Sequence, residues 1–158
     1  MRRSKSEIKN FDELITVIKK CDVCRLAIND EVYPYIIPLN FGIKLEKEKV
    51  MLYFHGALEG TKYDLLKKNN NVSFEMDCAH NLILDEVACK STMEYESVVG
   101  HGVVYDVNEE EKQEALAIIM QQYTKDINYK MKPSSITKTK VIKLVVEGMT
   151  GKREKQDN

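Results

Sequence analysis

His55, Thr61 and Lys62 stand around a turn made of Gly56, Ala57 and Gly60. An apolar run, Val50 to His55, enters the turn, and an amphipathic run, Thr61 to Lys68, leaves it. The pattern is strand, tight turn, helix. A helix start offers unpaired backbone N–H groups and a partial positive charge, and here a hydroxyl and an ammonium stand beside it. Those groups suit a phosphate-bearing small molecule. The Walker pattern needs four residues between its glycines and Lys before Ser/Thr. Here three residues separate Gly56 from Gly60 and Thr precedes Lys, which argues against a P-loop nucleoside triphosphatase. The competing reading is an ordinary strand-to-helix turn with Thr61 as its cap.

The other chemistry-bearing residues are sparser. His55 ends its strand and could serve as a general acid or base, a metal ligand or a donor to a bound ring. No H-E-x-x-H accompanies it, and His80 and His101 are not at ligand spacing. Cys21 and Cys24 form a C-x-x-C pair, but Cys78 and Cys89 are too widely spaced to complete a zinc knuckle. Cys24 also alternates with Leu26 in an apolar run, so the pair reads as packing cysteines and no metal site is expected. There is no G-x-S-x-G elbow and no G-x-G-x-x-G after a strand. Tyr129-Lys-Met-Lys is too small a basic cluster to imply nucleic acid.

A further wall is visible in Val32 to Ile43. Pro34 and Pro38 forbid a helix and remove two ladder donors, so this extended segment must lie at an edge, bulge or bend around something. Ile36, Ile37, Pro38 and Leu39 are apolar and Asn40 adds one amide. A bent strand turns backbone N–H and C=O groups sideways, where the polar edge of a flat heteroaromatic such as a flavin can satisfy them.

The elements that position these residues follow from periodicity. Phe11, Leu14, Ile15 and Ile18 give a helix over Asp12 to Lys20, capped by Asn10. Strands are expected at Val23–Asn29, Val32–Ile43, Val50–His55, Val72–Asp77, Glu94–Val107 and Val141–Val146, with a hairpin at Asp30-Glu31. Gly100 and Gly102 mark a bulge or a close backbone approach. Asn108 caps a helix over Glu109–Tyr123, with an apolar stripe of Leu116, Ile119, Met120 and Tyr123. Cys78 to Met93 reads as a loop or lid with Leu82, Ile83 and Leu84 tucked under it, and the chain from Gly148 onward as a fraying polar tail. Six strands in hairpin succession with three helices predict a mainly antiparallel sheet or small β-barrel with helices at its ends. The expected organisation is one domain over 1–147 and a tail over 148–158.

Composition sets the outer bounds. The chain has 158 residues, 43% hydrophobic and 31% charged, with a net charge of -1, so no broad field favours nucleic acid or a membrane surface. No apolar run reaches the length of a membrane helix, and the basic N-terminus lacks the apolar core of a secretory signal. A cytoplasmic location with reduced cysteines is the expectation.

Taken in order, Cys24-Arg25-Leu26-Ala27, Pro34-Tyr35-Ile36-Ile37-Pro38-Leu39-Asn40-Phe41, Tyr53-Phe54-His55-Gly56-Ala57, Gly60-Thr61-Lys62, Val72-Ser73-Phe74-Glu75, Tyr95-Glu96-Ser97-Val98-Val99-Gly100-His101-Gly102 and Glu111-Lys112 form a recognisable series. It resembles the FMN-binding split-barrel proteins of the pyridoxamine 5′-phosphate oxidase-like group, and most of all their 5-nitroimidazole-resistance branch. The resemblance runs from Met1-Arg2-Arg3 to Thr150-Gly151-Lys152. It implies a Greek-key-like split barrel that forms a homodimer, with FMN in clefts at the subunit interface. It places Ile37, Pro38, Leu39 and Asn40 along the isoalloxazine ring, with Phe54, His55 and Ala57 beside the flavin. Thr61 and Lys62 would hold its phosphate, and Tyr95, Ser97 and Val98 would approach from the partner. The implied activity passes electrons from a reduced nicotinamide through FMN to a nitroaromatic or similar small acceptor. His55 would touch the acceptor or, in the alternative of a non-catalytic haem or flavin carrier, ligate haem. The oxidase proper carries an Arg-Lys pair where Thr61-Lys62 stands, and its C-terminal substrate-binding Arg/His arrangement has no counterpart here. Oxidation of pyridoxamine phosphate is therefore not implied.

Overall fold

The computed structural model describes residues 6–126 and 130–155. Met1, Arg2 and Arg3, where the resemblance begins, and Tyr129 of the small basic cluster lie outside the described residues. In chain order the elements are β1 (Glu7–Ile8), α1 (Phe11–Lys20), β2 (Cys24–Ile28), β3 (Tyr35–Leu39), β4 (Phe41–Glu46), β5 (Lys49–Gly56), α2 (Thr61–Lys68), β6 (Asn71–Ile83), β7 (Thr92–Asp106), α3 (Glu109–Tyr123), α4 (Pro133–Ile136) and β8 (Lys140–Glu154). Asn10 and Asn108 cap α1 and α3, each accepting a bond from the third helical residue, Glu13 or Glu111.

The strands make one antiparallel sheet in the order β3-β2-β6-β7-β8-β5-β4, with β1 paired to β8. β3 and β4 are its two ends, yet only Asn40 separates them in the chain. The sheet therefore curls until its ends meet at one residue, and the barrel is split because β3 and β4 do not pair. Side chains tie the seam. The Tyr123 hydroxyl accepts from the Phe41 N–H at 2.9 Å and donates to the Asp22 carbonyl at 2.8 Å. Pro38 sits on β3, an edge strand, where a missing ladder donor is tolerated. The segment expected as one bent strand is thus two strands hinged at Asn40.

Phe41, Phe54, Phe74, Leu26, Leu52 and Leu144 fill the barrel, and α1 covers one opening with Leu14, Val17 and Ile18. Alternate residues of β5, Met51 and Tyr53, face the other way and pack with Val141 under Ala115, Ile118 and Ile119 of α3. No helix among the described residues is long and apolar enough to cross a membrane.

Four expectations are corrected. The count is eight strands and four helices among the described residues, because β1 is short and the proline segment is broken. The region Cys78–Met93 is a loop only at its centre: β6 runs to Ile83 and β7 starts at Thr92, so the two extend as a hairpin arm with an irregularity between Cys78 and Asn81. Leu82 and Leu84 on that arm are exposed, not tucked in. The chain from Gly148 onward is not a tail, since β8 continues to Glu154 with Gly151 buried and β1 added to its edge. Its charged residues mask the strand: Lys152 and Arg153 point to opposite faces, paired with Ser97 and Glu96 across the ladder. Finally, α3 is rotated from its expected stripe. Ala115, Ile118 and Ile119 face the sheet, whereas Met120 and Tyr123 are partly exposed. The bulge predicted at the glycine pair is present between His101 and Gly102, where a side chain on Gly102 would collide with the Val145 carbonyl oxygen.

Candidate functional site

β5 delivers its last two residues to opposite faces of the sheet. Gly56 shares the inward parity of Phe54, and His55 shares the outward parity of Tyr53. The inward corner is closed by α2. Gly60 is the cap of this helix, with φ 147°, a backbone geometry that favours glycine, and no side chain bonds to its first turn. Thr61 is therefore the first helical residue and not the cap, and its side chain is exposed.

The next two residues form an unusual corner. The Lys62 ammonium lies 4.5 Å from the centre of the Tyr63 ring, and the Lys140 ammonium lies 4.7 Å from it. Lys140 is balanced by Asp106 at 3.0 Å. Lys62 is not: partial burial alone acts on it and pulls its pKa below the ordinary lysine value. Among the described residues neither Glu59 nor Asp64, the carboxylates nearest in sequence, pairs with it; Asp64 pairs with Lys67. The Tyr63 hydroxyl is buried and has no hydrogen-bond partner among the described residues. Burial, then the Asp106 charge, pushes its pKa up to about 12, so it stays a donor. A side chain on Gly56 would meet Lys62 Nζ at 2.6 Å and Tyr63 Oη at 2.8 Å. The space over Gly56 is thus bordered by an uncompensated cation and an orphaned hydroxyl, at the positive end of a helix. Unmade buried hydrogen bonds cost about 1–3 kcal/mol. An oxyanion that reached Lys62 Nζ and Tyr63 Oη from the open side of this corner would satisfy both groups.

His55 points outward beside α3, exposed, with no hydrogen bond or ion pair among the described residues. Phe41 pairs with Phe54, so Asn40 stands abreast of His55 at the seam. Asn40 donates its amide to the Asp22 carbonyl at 3.3 Å. Ile37 and Leu39 lean onto the barrel core, Pro38 faces out, and Ala57 is exposed just past the strand. Phe54 and Val98 are core residues at 1% and 0% exposure, so they present only backbone to anything outside the barrel.

Tyr95 and Ser97 lie elsewhere. They line a groove of about 480 Å³ on the outer face, with Glu75, Asp77, His80 and Lys152. Pro38, Arg25, Glu75 and Val99 form one row across β3, β2, β6 and β7. Three strand spacings, about 14 Å, therefore separate the Pro38 flank from the Tyr95 flank within one chain. The β4–β5 register sets Asn40 beside His55, the chain then runs through Ala57 to Thr61 and Lys62, and Tyr95 and Ser97 stand apart.

The cysteines take no part. Cys21 and Cys24 are buried at 2% and 0% exposure, and burial above all raises both thiols far above their ordinary pKa. Cys89 is exposed on the hairpin arm. Among the described residues no group of three His, Cys, Asp or Glu side chains is placed to hold a metal ion. Sequence reading missed Tyr63 and Lys140. Tyr63 could have been found as the residue after Lys62, but Lys140 reaches the corner only through the Gly56–Lys140 register, which no local pattern reveals.

The fold and this chain's sequence both have relatives. A structure of a protein from Bacteroides thetaiotaomicron, whose proposed role is 5-nitroimidazole antibiotic resistance, is 35% identical with a TM-score of 0.80, over 93% of this chain and 86% of that one. The FAD- and haem-binding protein of Mycobacterium smegmatis shares the fold at 12% identity and a TM-score of 0.82, over 97% and 76% of the two chains. A flavocytochrome from Azotobacter vinelandii does so at 16% identity and a TM-score of 0.80, over 100% and 75%. A comparison with curated protein sequences gave no match. The profile of the pyridoxamine 5′-phosphate oxidase family matches residues 11–153, and the chain belongs to that family.

Proposed function

We propose that this protein is an FMN-dependent oxidoreductase that passes electrons from a reduced nicotinamide to a nitroaromatic or similar small acceptor. The observation that carries the reading is the corner over Gly56, where Lys62 lacks a counter-charge and the Tyr63 hydroxyl lacks a partner. A flavin phosphate supplies both. When bound, FMN supplies the redox chemistry. The chain's own residues do the rest. Lys62 neutralises the phosphate, Thr61 and Tyr63 donate hydrogen bonds to it, and the backbone of Pro38–Asn40 orients the ring edge. His55, with a free imidazole, holds a proton for the acceptor. The role proposed for the Bacteroides thetaiotaomicron relative supports a nitroaromatic acceptor.

The separation of Tyr95 and Ser97 from Pro38 supports a homodimer, because a site that contains both sets draws them from two chains. Ile36, Met93 and Val99 are exposed on that outer face and supply apolar surface for a second copy.

An absorption spectrum of the purified protein, before and after adding FMN, tests the reading. A flavin spectrum that bleaches with NADH or NADPH under anaerobic conditions is expected, with FMN affinity at least tenfold weaker in Lys62→Ala. Protein that takes up no FMN, or holds FMN that neither donor reduces, would sink it.

A second reading rests on the unpartnered His55: a non-catalytic haem or flavin carrier in which this imidazole is an axial ligand. The names of the Mycobacterium smegmatis and Azotobacter vinelandii proteins support it. It predicts a Soret band that disappears in His55→Ala.

A further inference from the structure

The rotation of α3 leaves Leu116 at the margin of its core and Met120 outside it. Ala115, Ile118 and Ile119 are spent on the sheet, while Leu116 is only half-buried and Met120 is 37% exposed. Across from them, Met131 and Ile136 of the α4 segment are also half-buried. Between the two lies a groove of about 390 Å³, with His55 at its end. Its size falls in the range of small-molecule sites, which are mostly apolar with a few polar groups that fix orientation. Two methionines give it soft, polarizable walls suited to an aromatic ring. Among the described residues, every ionisable side chain that lines it is basic: His55, Lys130 and Lys132. No carboxylate among the described residues lines it, so the groove favours a ligand with negative charge at one end. Ser135 and Thr139 add hydroxyls at the rim.

We propose that this groove binds a small planar aromatic anion, its ring against Met120, Met131 and Ile136 and its carboxylate or sulfonate toward Lys132 and His55. The groove is distinct from the corner over Gly56, because His55 and Gly56 face opposite sides of β5. Its role as the acceptor site rests on the flavin-dependent reading above; the binding itself stands on the groove alone.

The test is a fluorescence titration of the full chain, without added flavin, with 1-anilinonaphthalene-8-sulfonate and with its uncharged analogue N-phenyl-1-naphthylamine. Saturable binding of the sulfonate at one site per chain is expected, displaced by 4-nitrobenzoate. Met120→Glu should weaken it at least tenfold. Lys132→Glu should weaken the sulfonate at least threefold and leave the neutral analogue within twofold. Leu84→Glu, on the exposed hairpin arm, should change neither. Binding that survives Met120→Glu, or is lost in Leu84→Glu, overturns the proposal. So does a lower sedimentation coefficient in Met120→Glu, which would show that a second copy covers the groove. A chain that takes up no FMN but gives the expected titrations refutes the flavin reading and upholds the groove. An FMN-binding chain with no saturable dye binding does the reverse.

Discussion

Arg153 and Glu96 face each other across β7 and β8, with Arg153 Nε 2.7 Å from Glu96 Oε1. Glu96 is 1% exposed, and Lys20 of α1 holds its other oxygen. Arg153 also reaches Glu13 of α1 at 2.8 Å. The last turn of the sheet is therefore pinned to the first helix through one buried carboxylate. Burial by itself would raise the Glu96 pKa, but the hydrogen bonds from Lys20 and Arg153 outweigh it and hold the carboxyl below the usual carboxylate value. The stabilisation is thus present above that usual value and is lost as pH falls through the lower folded-state pKa. Glu96→Gln should cost about 2 kcal/mol at pH 7, by loss of hydrogen bonds to a charged group. Urea unfolding at a series of pH values checks this. The variant should lose less stability than the wild type on acidification below the usual carboxylate range, and equal acid losses would rule the account out.

Tyr63→Phe should have effects of opposite sign on stability and on ligand affinity. The hydroxyl is buried without a partner, so its removal should leave stability unchanged or raise it by about 1 kcal/mol. FMN affinity should drop by about tenfold, since the donor is used only when the phosphate is present. Thermal unfolding without flavin and a flavin-quenching titration give the two numbers. A loss in stability would show that the hydroxyl is already engaged.

Lys62 gives the site a pH signature. Burial lowers its pKa in the free protein, and a bound phosphate dianion raises it again. FMN affinity should therefore hold at neutral pH and begin to fall as pH rises through a value below that of an ordinary lysine. Titrations across the alkaline range measure the onset. Lys62→Arg should abolish the decline, because a guanidinium does not titrate there.

The seam at Asn40 makes a stability prediction. Tyr123→Phe removes an acceptor from the buried Phe41 N–H and a donor from the Asp22 carbonyl. The cost should be about 2 kcal/mol. Hydrogen exchange at the Phe41 amide should accelerate by more than that of the β7–β8 ladder, and uniform acceleration would show that the seam is not a separate unit.

Parts of this molecule were legible because their signals are local. Asn10 and Asn108 announce their helices through a cap and a periodic run, and α2 spans the expected Thr61–Lys68. Val72, Phe74 and Met76 alternate cleanly because β6 has one wet face there. The far half of β8 was not legible, since Lys152 and Arg153 are charged and gain their places only by pairing with Ser97 and Glu96 on a distant strand. The α3 stripe misled for a related reason. Leu116 only flanks the core and Met120 lies outside it, and a hydrophobic pattern does not say which side of a broad apolar face meets the core. At the site, Thr61 and Lys62 could be picked out from the turn, whereas Lys140 required the β5–β8 register.

One residue between β3 and β4 has an effect on how the protein behaves in a crowd. A sheet's outermost strands are templates for foreign strands, and open sheets must blunt them. Here the first and last strands share Asn40, so at that end each edge stands guard over the other. Farther along β3 the edge carries Pro38, and its terminus is preceded by Pro34. The two prolines along this edge therefore discourage a third strand from joining, so the split in the barrel is not an invitation to self-association.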